Sequence, residues 1–251
     1  MLCAARSSLI RAAAIAAVSV AAVAALLYRT EVHVVVVTVD DLQRGAGGPA
    51  ARRLWKRLAE EGLVVERVES QAAAGVPTLR ELLTGDGASP AATSLATRLA
   101  AAGYRCGAFI STAALRKPGG GLHQGFRHWD QELAGETRPA RDTVSAAIGW
   151  LLGEAHEKAP NCVWLQLGSV EATTHIERLV DALDRHGYWQ RTLLVVVGAS
   201  APTTAFVRPP EGRMGGERIT EPVRAVDLLP TILAVIGLPA TELPGRSVLM
   251  R

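Results

Sequence analysis

Two adjacent carboxylate residues, Asp40 and Asp41, follow directly after the apolar run from Val32 to Val39. A nearly continuous β-branched run is typical of a strand that is buried on both faces of a parallel sheet. Carboxylates at the end of such a strand can ligate Ca²⁺ or Mg²⁺, although these cations need about six to eight oxygen ligands or a strict octahedron. The pair is therefore interpreted either as part of a metal site or as a solvated turn that caps a helix. Without a cation the two charges repel, and solvent or Arg80 would relieve that repulsion.

Other residues in the chain could also take part in chemistry. The hydroxyls of Ser70 and Thr78 could attack an ester, but neither has a base at a recognisable spacing. Glu171 and His175 lie four positions apart on a predicted helix, as a metal-binding pair requires, but no third ligand accompanies them. The sequence has no Gly-Lys-Ser phosphate loop, no Gly-x-Ser-x-Gly elbow and no Cys-x-x-Cys pair. These absences exclude nucleoside triphosphatases, α/β-hydrolases and thiol oxidoreductases.

Segments with strand and helix periodicity alternate along most of the chain. Apolar runs predict strands over 32–39, 63–68, 104–110, 162–167 and 193–197. Amphipathic spacing predicts helices over 49–61, 89–102, 142–157, 176–187 and 227–237. Ser89 is interpreted as the N-cap of the second of these helices, and Asp227 as the cap of the last. The alternation predicts an α/β fold with a doubly wound, mostly parallel sheet, helices on both faces and a site at the carboxyl ends of the strands.

The N-terminal segment contains sixteen residues, from Ala12 to Leu27, of which only Ser19 is polar. Arg6 and Arg11 precede this run, and the order basic, apolar, polar is typical of an export signal. A membrane span needs about 20 apolar residues, which the chain reaches if Arg11 extends toward the headgroups. Residues 1–29 are therefore predicted to be a signal-anchor, with a cleaved signal peptide as the alternative. The domain over 30–251 would then lie on the periplasmic or extracellular side of the cytoplasmic membrane.

Composition limits the classes of partner. The 251 residues suit one α/β domain, and 27 basic residues stand against 24 acidic ones. The three arginines of the N-terminal segment account for this whole excess, so the predicted domain is neutral and nucleic-acid binding is not indicated. The strong use of arginine over lysine, together with abundant alanine, indicates a GC-rich bacterial genome.

Three cysteines are too few for a disulfide framework. Cys106 and Cys162 each fall in an apolar, strand-like run, and both are interpreted as small buried hydrophobic residues. A bridge between them in an oxidising compartment is left open, because pairing cannot be deduced from the sequence.

Several motifs follow one another in a fixed order between residues 32 and 249. They are VVVVTVDDL, GVPTLRELLTG, SLATRLAAAGYRCGAF, GLHQGFRHWD, WLQLGS, the segment RLVDALDRHGYWQRTLLVVV, VRAVDLLPTILAVIGLP and GRSVL. In this order the chain resembles the sulfatase family of the alkaline-phosphatase-like superfamily. The resemblance implies an alkaline-phosphatase-like α/β fold, which one N-terminal apolar helix would precede in this chain.

The resembled family attacks its esters with a formylglycine made from Cys or Ser, or with an unmodified Ser or Thr, beside one or two hard cations. Pro77 and Thr84 match the family motif at its own spacing, and this register puts Gly75 at the nucleophile position. The arginine of the motif falls on Leu79, with Arg80 one place later. Glycine has no side-chain atom that can attack an ester, so the resemblance implies that no catalytic residue is intact.

Most metal ligands of the resembled family are also replaced. The strand that resembles LLVVV ends in Ser-Asp-His-Gly in the family, and here Ala199 and Ser200 stand at the aspartate and the following position. The family's His-x-x-Asp-x-His segment is represented by Gln166, Ser169 and Glu171. Asp40 and Asp41 therefore remain as remnants of the metal site that the resemblance implies, and Thr78 remains as a weak substitute nucleophile. We expect no cofactor, and at most weak binding of Ca²⁺ or Mg²⁺.

The sequence leads to three hypotheses for function. The first is a catalytically inactive, membrane-anchored sulfatase-like protein that binds sulfated or phosphorylated glycans, lipids or an envelope protein, or serves as a scaffold. The second is a divalent-metal-dependent sulfuric or phosphoric ester hydrolase with a rearranged site formed by Asp40, Asp41 and Thr78. The third is a purely structural envelope component.

Overall fold

The computed structural model describes residues 32–40, 42, 48–72, 74–89, 91–117, 121–153, 159–168, 172–200 and 202–250. The helices of this part are α1 Pro49–Glu61, α2 Val76–Thr84, α3 Leu95–Ala101, α4 Ala140–Leu152, α5 Ala172–Arg185 and α6 Leu228–Val235. The strands are β1 His33–Val39, β2 Leu63–Glu69, β3 Arg105–Ile110, β4 His128–Asp130, β5 Asn161–Leu167, β6 Thr192–Gly198, β7 Thr203–Arg208, β8 Arg218–Ile219 and β9 Val223–Arg224.

The described strands form one sheet in the order β4-β3-β5-β1-β6-β7-β2-β8, and β9 also pairs with β2. Strands β4, β3, β5, β1 and β6 are mutually parallel, whereas β7 is antiparallel to both of its neighbours. The apolar runs of β1, β5 and β6 are buried along their whole length, as expected for central strands with helices on both faces. The predicted mostly parallel sheet is confirmed.

Two separate apolar cores lie on the two faces of this sheet. One core contains side chains of α2, α3 and α6, such as Leu82, Leu99 and Leu229. The other contains side chains of α1, α5 and α4, such as Leu58 and Leu179. The helices therefore cover both faces, and the doubly wound arrangement leaves the carboxyl edge of the parallel strands available for a site.

The boundaries of several helices differ from the sequence prediction; α4, for example, spans Ala140–Leu152 rather than 142–157. Helix α3 begins at Leu95 rather than near Ser89, because the Ser94 hydroxyl accepts a hydrogen bond from the backbone N–H of Thr97 and so forms the N-cap. The last helix begins after a short 3₁₀ turn, Ala225–Asp227, and the Asp227 carboxylate accepts from the N–H of Arg224 before that turn. Asp227 is the N-cap residue of α6, as predicted, but its side chain bonds the N–H before the turn and not an N–H of the helix.

The predicted N-terminal apolar helix falls on residues 1–29, which lie outside the described residues. Among the helices that the structure describes, none has the length and apolar character that crossing a bilayer requires. The membrane anchor therefore stays a prediction from the sequence.

The Asp227 carboxylate is fully buried and connects the start of α6 to the C-terminal segment. It accepts hydrogen bonds from the Arg224 guanidinium at 2.7 Å and from the backbone N–H of Arg246 at 2.9 Å. Burial alone would raise the pKa of Asp227, but the hydrogen bonds from Arg224 and Arg246 outweigh it, so the pKa is lowered. A lowered pKa means that the ionised carboxylate stabilises the folded protein above pH 3.8, its ordinary value.

Replacing Asp227 with asparagine should lower the free energy of unfolding by about 2 kcal/mol at pH 7, because a charged hydrogen-bond acceptor is lost. The contribution of Asp227 disappears as the pH falls below 3.8 and through the lower pKa of the folded state. The difference in stability between the natural chain and Asp227→Asn should therefore shrink over this pH range. Urea unfolding at pH 7, 5 and 3 measures it, and a difference that stayed constant with pH would contradict the assignment.

Candidate functional site

The carboxyl ends of β1, β5 and β6 bring together most residues that the sequence singled out. The backbone N–H of Asp40 donates to the carbonyl of Leu167 at 3.0 Å, and the N–H of Ala199 donates to the carbonyl of Val39 at 2.8 Å. The N–H of Gly75 donates to the carbonyl of Ala199 at 3.4 Å, which places the start of α2 at the same edge. Asp40, Gly75 and Ala199 are therefore neighbours at the position where the fold predicts a site.

The Asp40 carboxylate is held by an amide. The Nε2 group of Gln166 donates to Oδ1 of Asp40 at 3.1 Å and to Oδ2 at 3.2 Å. Gln166 is fully buried, while Asp40 is half-buried. The amide thus donates to both carboxylate oxygens from the side of β5 and stabilises their negative charge.

The orientation of this amide is determined by its other end. The backbone N–H of Ser111 donates to Oε1 of Gln166 at 3.0 Å, so the oxygen must face Ser111 and the NH₂ group must face Asp40. The Ser111 hydroxyl in turn lies 2.9 Å from Oγ1 of Thr143 on α4. A buried hydrogen-bonded chain therefore connects β1, β5, β3 and α4 directly beneath Asp40.

Gly75 lies where the resemblance puts the attacking group. Its backbone has φ 88° and ψ −135°, a combination that is essentially restricted to glycine. A Cβ built there meets nothing within 4 Å, so the space in front of Gly75 is open. The backbone conformation, rather than crowding, therefore disfavours a side chain at this position.

Strands β6 and β7 are antiparallel neighbours, and β7 begins only a few residues after β6 ends. Ala199 is 1% exposed, and its methyl group offers no ligand atom where the resemblance expects an aspartate. Gly198, one position earlier, admits no side chain, because a Cβ there would collide with Oγ1 of Thr203. The short β6–β7 hairpin thus depends on a small residue at this point, and Ser200 lies half-buried after it.

The two hydroxyls proposed as nucleophiles contact each other. Oγ of Ser70 lies 3.2 Å from Oγ1 of Thr78 and 2.7 Å from Oε2 of Glu81. Oγ of Ser70 also accepts from the backbone N–H of Ala72 at 3.0 Å, which closes a turn after β2. Thr78 is 2% exposed and Glu81 is 6% exposed. This arrangement is typical of a buried polar contact that fixes α2 against β2, since an attacking hydroxyl must reach its substrate.

The described residues do not fit a hard divalent cation. Within the parts of the chain that the structure describes, no group of three His, Cys, Asp or Glu side chains could hold a metal ion. The oxygens of Asp40 already accept from Gln166, whose NH₂ group repels a cation. Asp41, Ser169 and Glu171 lie outside the described residues, so the Glu171–His175 pair and the weak metal binding expected from the sequence remain predictions.

The sequence indicates the positions of this site but not the contacts between them. Gln166 was recognised as a replacement for a family ligand, whereas its bond to Asp40 and the roles of Ser111 and Thr143 were not predicted. Gln166 and Asp40 are separated by 126 positions, and only the β1–β5 register, Val39 opposite Leu167, brings them together. An uncharged polar residue inside the apolar run CVWLQL is the one sequence signal that could have indicated such a contact.

Solved structures with a similar fold span most of this chain. A protein in the alkaline phosphatase superfamily from Vibrio parahaemolyticus has a TM-score of 0.70 at 14% identity, over 88% of this chain and 70% of that one. The lipoteichoic acid synthase LtaP from Listeria monocytogenes has a TM-score of 0.68 at 11% identity, over 86% and 74%.

A third structure, the protein BT4656 in complex with its substrate D-glucosamine-2-N,6-O-disulfate, has a TM-score of 0.69 at 12% identity, over 87% of this chain and 79% of that one. No protein-family model and no curated protein matches the sequence. The similar structures show that this chain has the fold of the alkaline-phosphatase superfamily, which includes the sulfatases.

Proposed function

We propose that this chain is a catalytically inactive, sulfatase-like protein of the bacterial envelope that acts by binding or as a scaffold. Residues 1–29 would anchor it in the cytoplasmic membrane, and the domain over 30–251 would lie on the outer side. Its ligands would be sulfated or phosphorylated glycans or lipids, or a protein of the envelope. The bound substrate of one structural neighbour, a sulfated glucosamine, supports the first of these classes.

The observation that carries this proposal is that the fold is retained while the residues expected for catalysis and metal binding at the carboxyl edge of the sheet are replaced. The chain has the fold of the superfamily, but the sequence resemblance puts Gly75 at the attacking position and Ala199 at a metal position. Gly75 lacks a side chain, and its backbone conformation also disfavours any residue that has one. Both features are unsuited to an attacking group. Random decay of the sequence would have damaged the buried strands as readily as the site.

The amide of Gln166 supports the same conclusion. Asp40 would need a compensating charge if it stood at this edge without a cation, and the two hydrogen bonds from Gln166 supply partial compensation. A domain stabilised in this way needs no metal for folding. We therefore propose that Ca²⁺ or Mg²⁺ is not a resident cofactor.

The first test is an assay of the purified full chain against aryl sulfate and aryl phosphate esters with Ca²⁺, Mg²⁺ or Mn²⁺. We expect no turnover above the rate without protein, because no attacking group is present at Gly75. Turnover that Asp40→Ala abolishes would overturn the proposal and favour the metal-dependent hydrolase. That alternative also predicts thermal stabilisation by micromolar divalent cation, since a bound ligand raises stability by mass action.

A binding experiment then distinguishes the roles that remain. The full chain is applied to an array of sulfated and phosphorylated glycans, and in parallel it is used to capture partners from solubilised membranes. Retention on the glycans that free sulfate or phosphate competes away supports the ligand-binding role. Capture of an envelope protein without glycan retention supports the scaffold role.

A further inference from the structure

Cys106 and Cys162 lie directly opposite each other on neighbouring parallel strands. Cys106 is on β3, Cys162 is on β5, and the two are Cα partners in the register of the sheet. Neighbouring strands lie about 4.8 Å apart. Disulfides usually join Cα atoms about 4.4–6.8 Å apart, so the two strands need not move to be bridged.

The two side chains also point into the same apolar core. Both are fully buried, and both belong to the core that α2, α3 and α6 cover. Because the two residues are Cα partners whose side chains enter the same core, the two thiols face each other across one strand spacing. Sγ of Cys106 also lies 3.5 Å from the carbonyl oxygen of Ala96 on helix α3. Register and side-chain direction therefore agree, and neither could be established from the sequence.

We propose that Cys106 and Cys162 close into a disulfide when the chain folds in an oxidising compartment. The S–H bonds of both residues break and one S–S bond forms between the sulfur atoms. The two electrons and two protons released reduce the disulfide of a thiol–disulfide oxidoreductase, or oxidised glutathione in vitro, to two thiols. In the structure both cysteines are free, which represents the reduced form.

The timing of this reaction follows from burial. Disulfide exchange needs a thiolate and access for the oxidant, and neither is available once the sheet has formed. The hydrogen bond with Cys106, followed by burial, raises the pKa of Cys162 well above its ordinary value, so the thiol stays protonated. The redox state is therefore set during folding and is retained afterwards. A chain exported before it folds would carry the disulfide, and one that folds in the cytoplasm would carry two thiols.

The test uses the full chain with Cys3→Ser, which removes the third thiol of the sequence. The protein is unfolded in guanidinium with reductant and refolded in oxidised glutathione or in dithiothreitol. Maleimide labelling after denaturation should find no thiol in the first sample and two in the second. The oxidised protein should also melt at a temperature higher by roughly 5 °C or more, because the bridge closes a loop of over 50 residues.

Cys162→Ala in the same background is the matched control, since it keeps Cys106 but cannot form the bridge. Its melting temperature should not differ between the two refolding conditions. Two reactive thiols after oxidative refolding to a native near-ultraviolet spectrum would overturn the proposal, as would a melting temperature that falls on oxidation. A second measurement needs no refolding: chain isolated from bacterial membranes after an acid quench, then alkylated in denaturant without reductant, should carry no alkyl group on either residue. Alkylation of both residues would overturn the proposal.

Discussion

Replacing Arg208 with alanine should lower the free energy of unfolding by about 4 kcal/mol, because it removes a buried guanidinium that bonds both a carboxylate and backbone carbonyls. The Arg208 side chain is 1% exposed and lies at the amino edge of the sheet, where β7 ends. Its Nε donates to Oε2 of Glu61 at 3.0 Å, and its Nη1 donates to the carbonyl of Trp189 at 2.6 Å. The guanidinium carbon also lies 4.1 Å from the centre of the Trp189 ring.

The large expected effect comes from the number of groups that depend on one guanidinium. Burial lowers the pKa of Arg208, while the Glu61 carboxylate opposes that change and keeps the charge in place. The indole N–H of Trp189 donates to the same oxygen of Glu61 at 2.8 Å, so the end of α1 and the start of β6 meet at this point. Removing Arg208 leaves a carboxylate and a buried carbonyl without this donor, and each such loss is costly.

Urea unfolding of the natural chain and of Arg208→Ala measures this difference. Arg141→Ala is the matched control, because it removes an arginine whose side chain is 69% exposed and whose ion pair with Asp142 lies at the surface. The control should change stability by less than about 0.5 kcal/mol. A loss of less than about 1 kcal/mol in Arg208→Ala would show that the ion pair does not hold the amino edge together.

Replacing Gln166 with glutamate should destabilise the protein by about 3 kcal/mol at pH 7 and make its stability depend on divalent cations. The change removes the two hydrogen bonds to Asp40 and puts a second carboxylate about 3 Å from the first. Two carboxylates at this distance cannot both ionise readily, so one of them takes up a proton and its pKa rises. The loss of stability should therefore be smaller at pH 5 than at pH 7.

A cation provides the second readout. Millimolar Ca²⁺ or Mg²⁺ should raise the melting temperature of Gln166→Glu, because it can bridge the two carboxylates, and should leave that of the natural chain unchanged. Gln166→Leu is the control, since it removes the same hydrogen bonds without adding a charge. It should be destabilised independently of metal. A cation response of the natural chain equal to that of Gln166→Glu would contradict the view that the amide takes the place of a metal.

Local patterns in the sequence were sufficient to predict the central parallel strands and most helices, but not helix α2 or the strands β4, β7, β8 and β9. The run from Val32 to Val39 predicted a central strand, and the structure has β1 at His33–Val39 with every residue buried. Helix α1 was predicted to the residue, because the stripe of Leu54 and Leu58, Pro49 at the start and Gly62 at the end all act within one or two turns. The glycine at position 75 could be interpreted in the same way, since an absent side chain is a property of the sequence itself.

Contacts between distant parts of the chain were decided by the tertiary structure alone. The bond between Asp40 and Gln166 joins residues 126 positions apart, and that between Glu61 and Arg208 joins residues 147 positions apart. Periodicity identifies a strand and the face that it buries, but a pair of facing atoms depends on strand order and register. Strand order and register are set by the packing of the whole sheet between its two helical layers. The hydrogen bonds from Gln166 to Asp40 and the facing cysteines therefore appear only in the folded molecule.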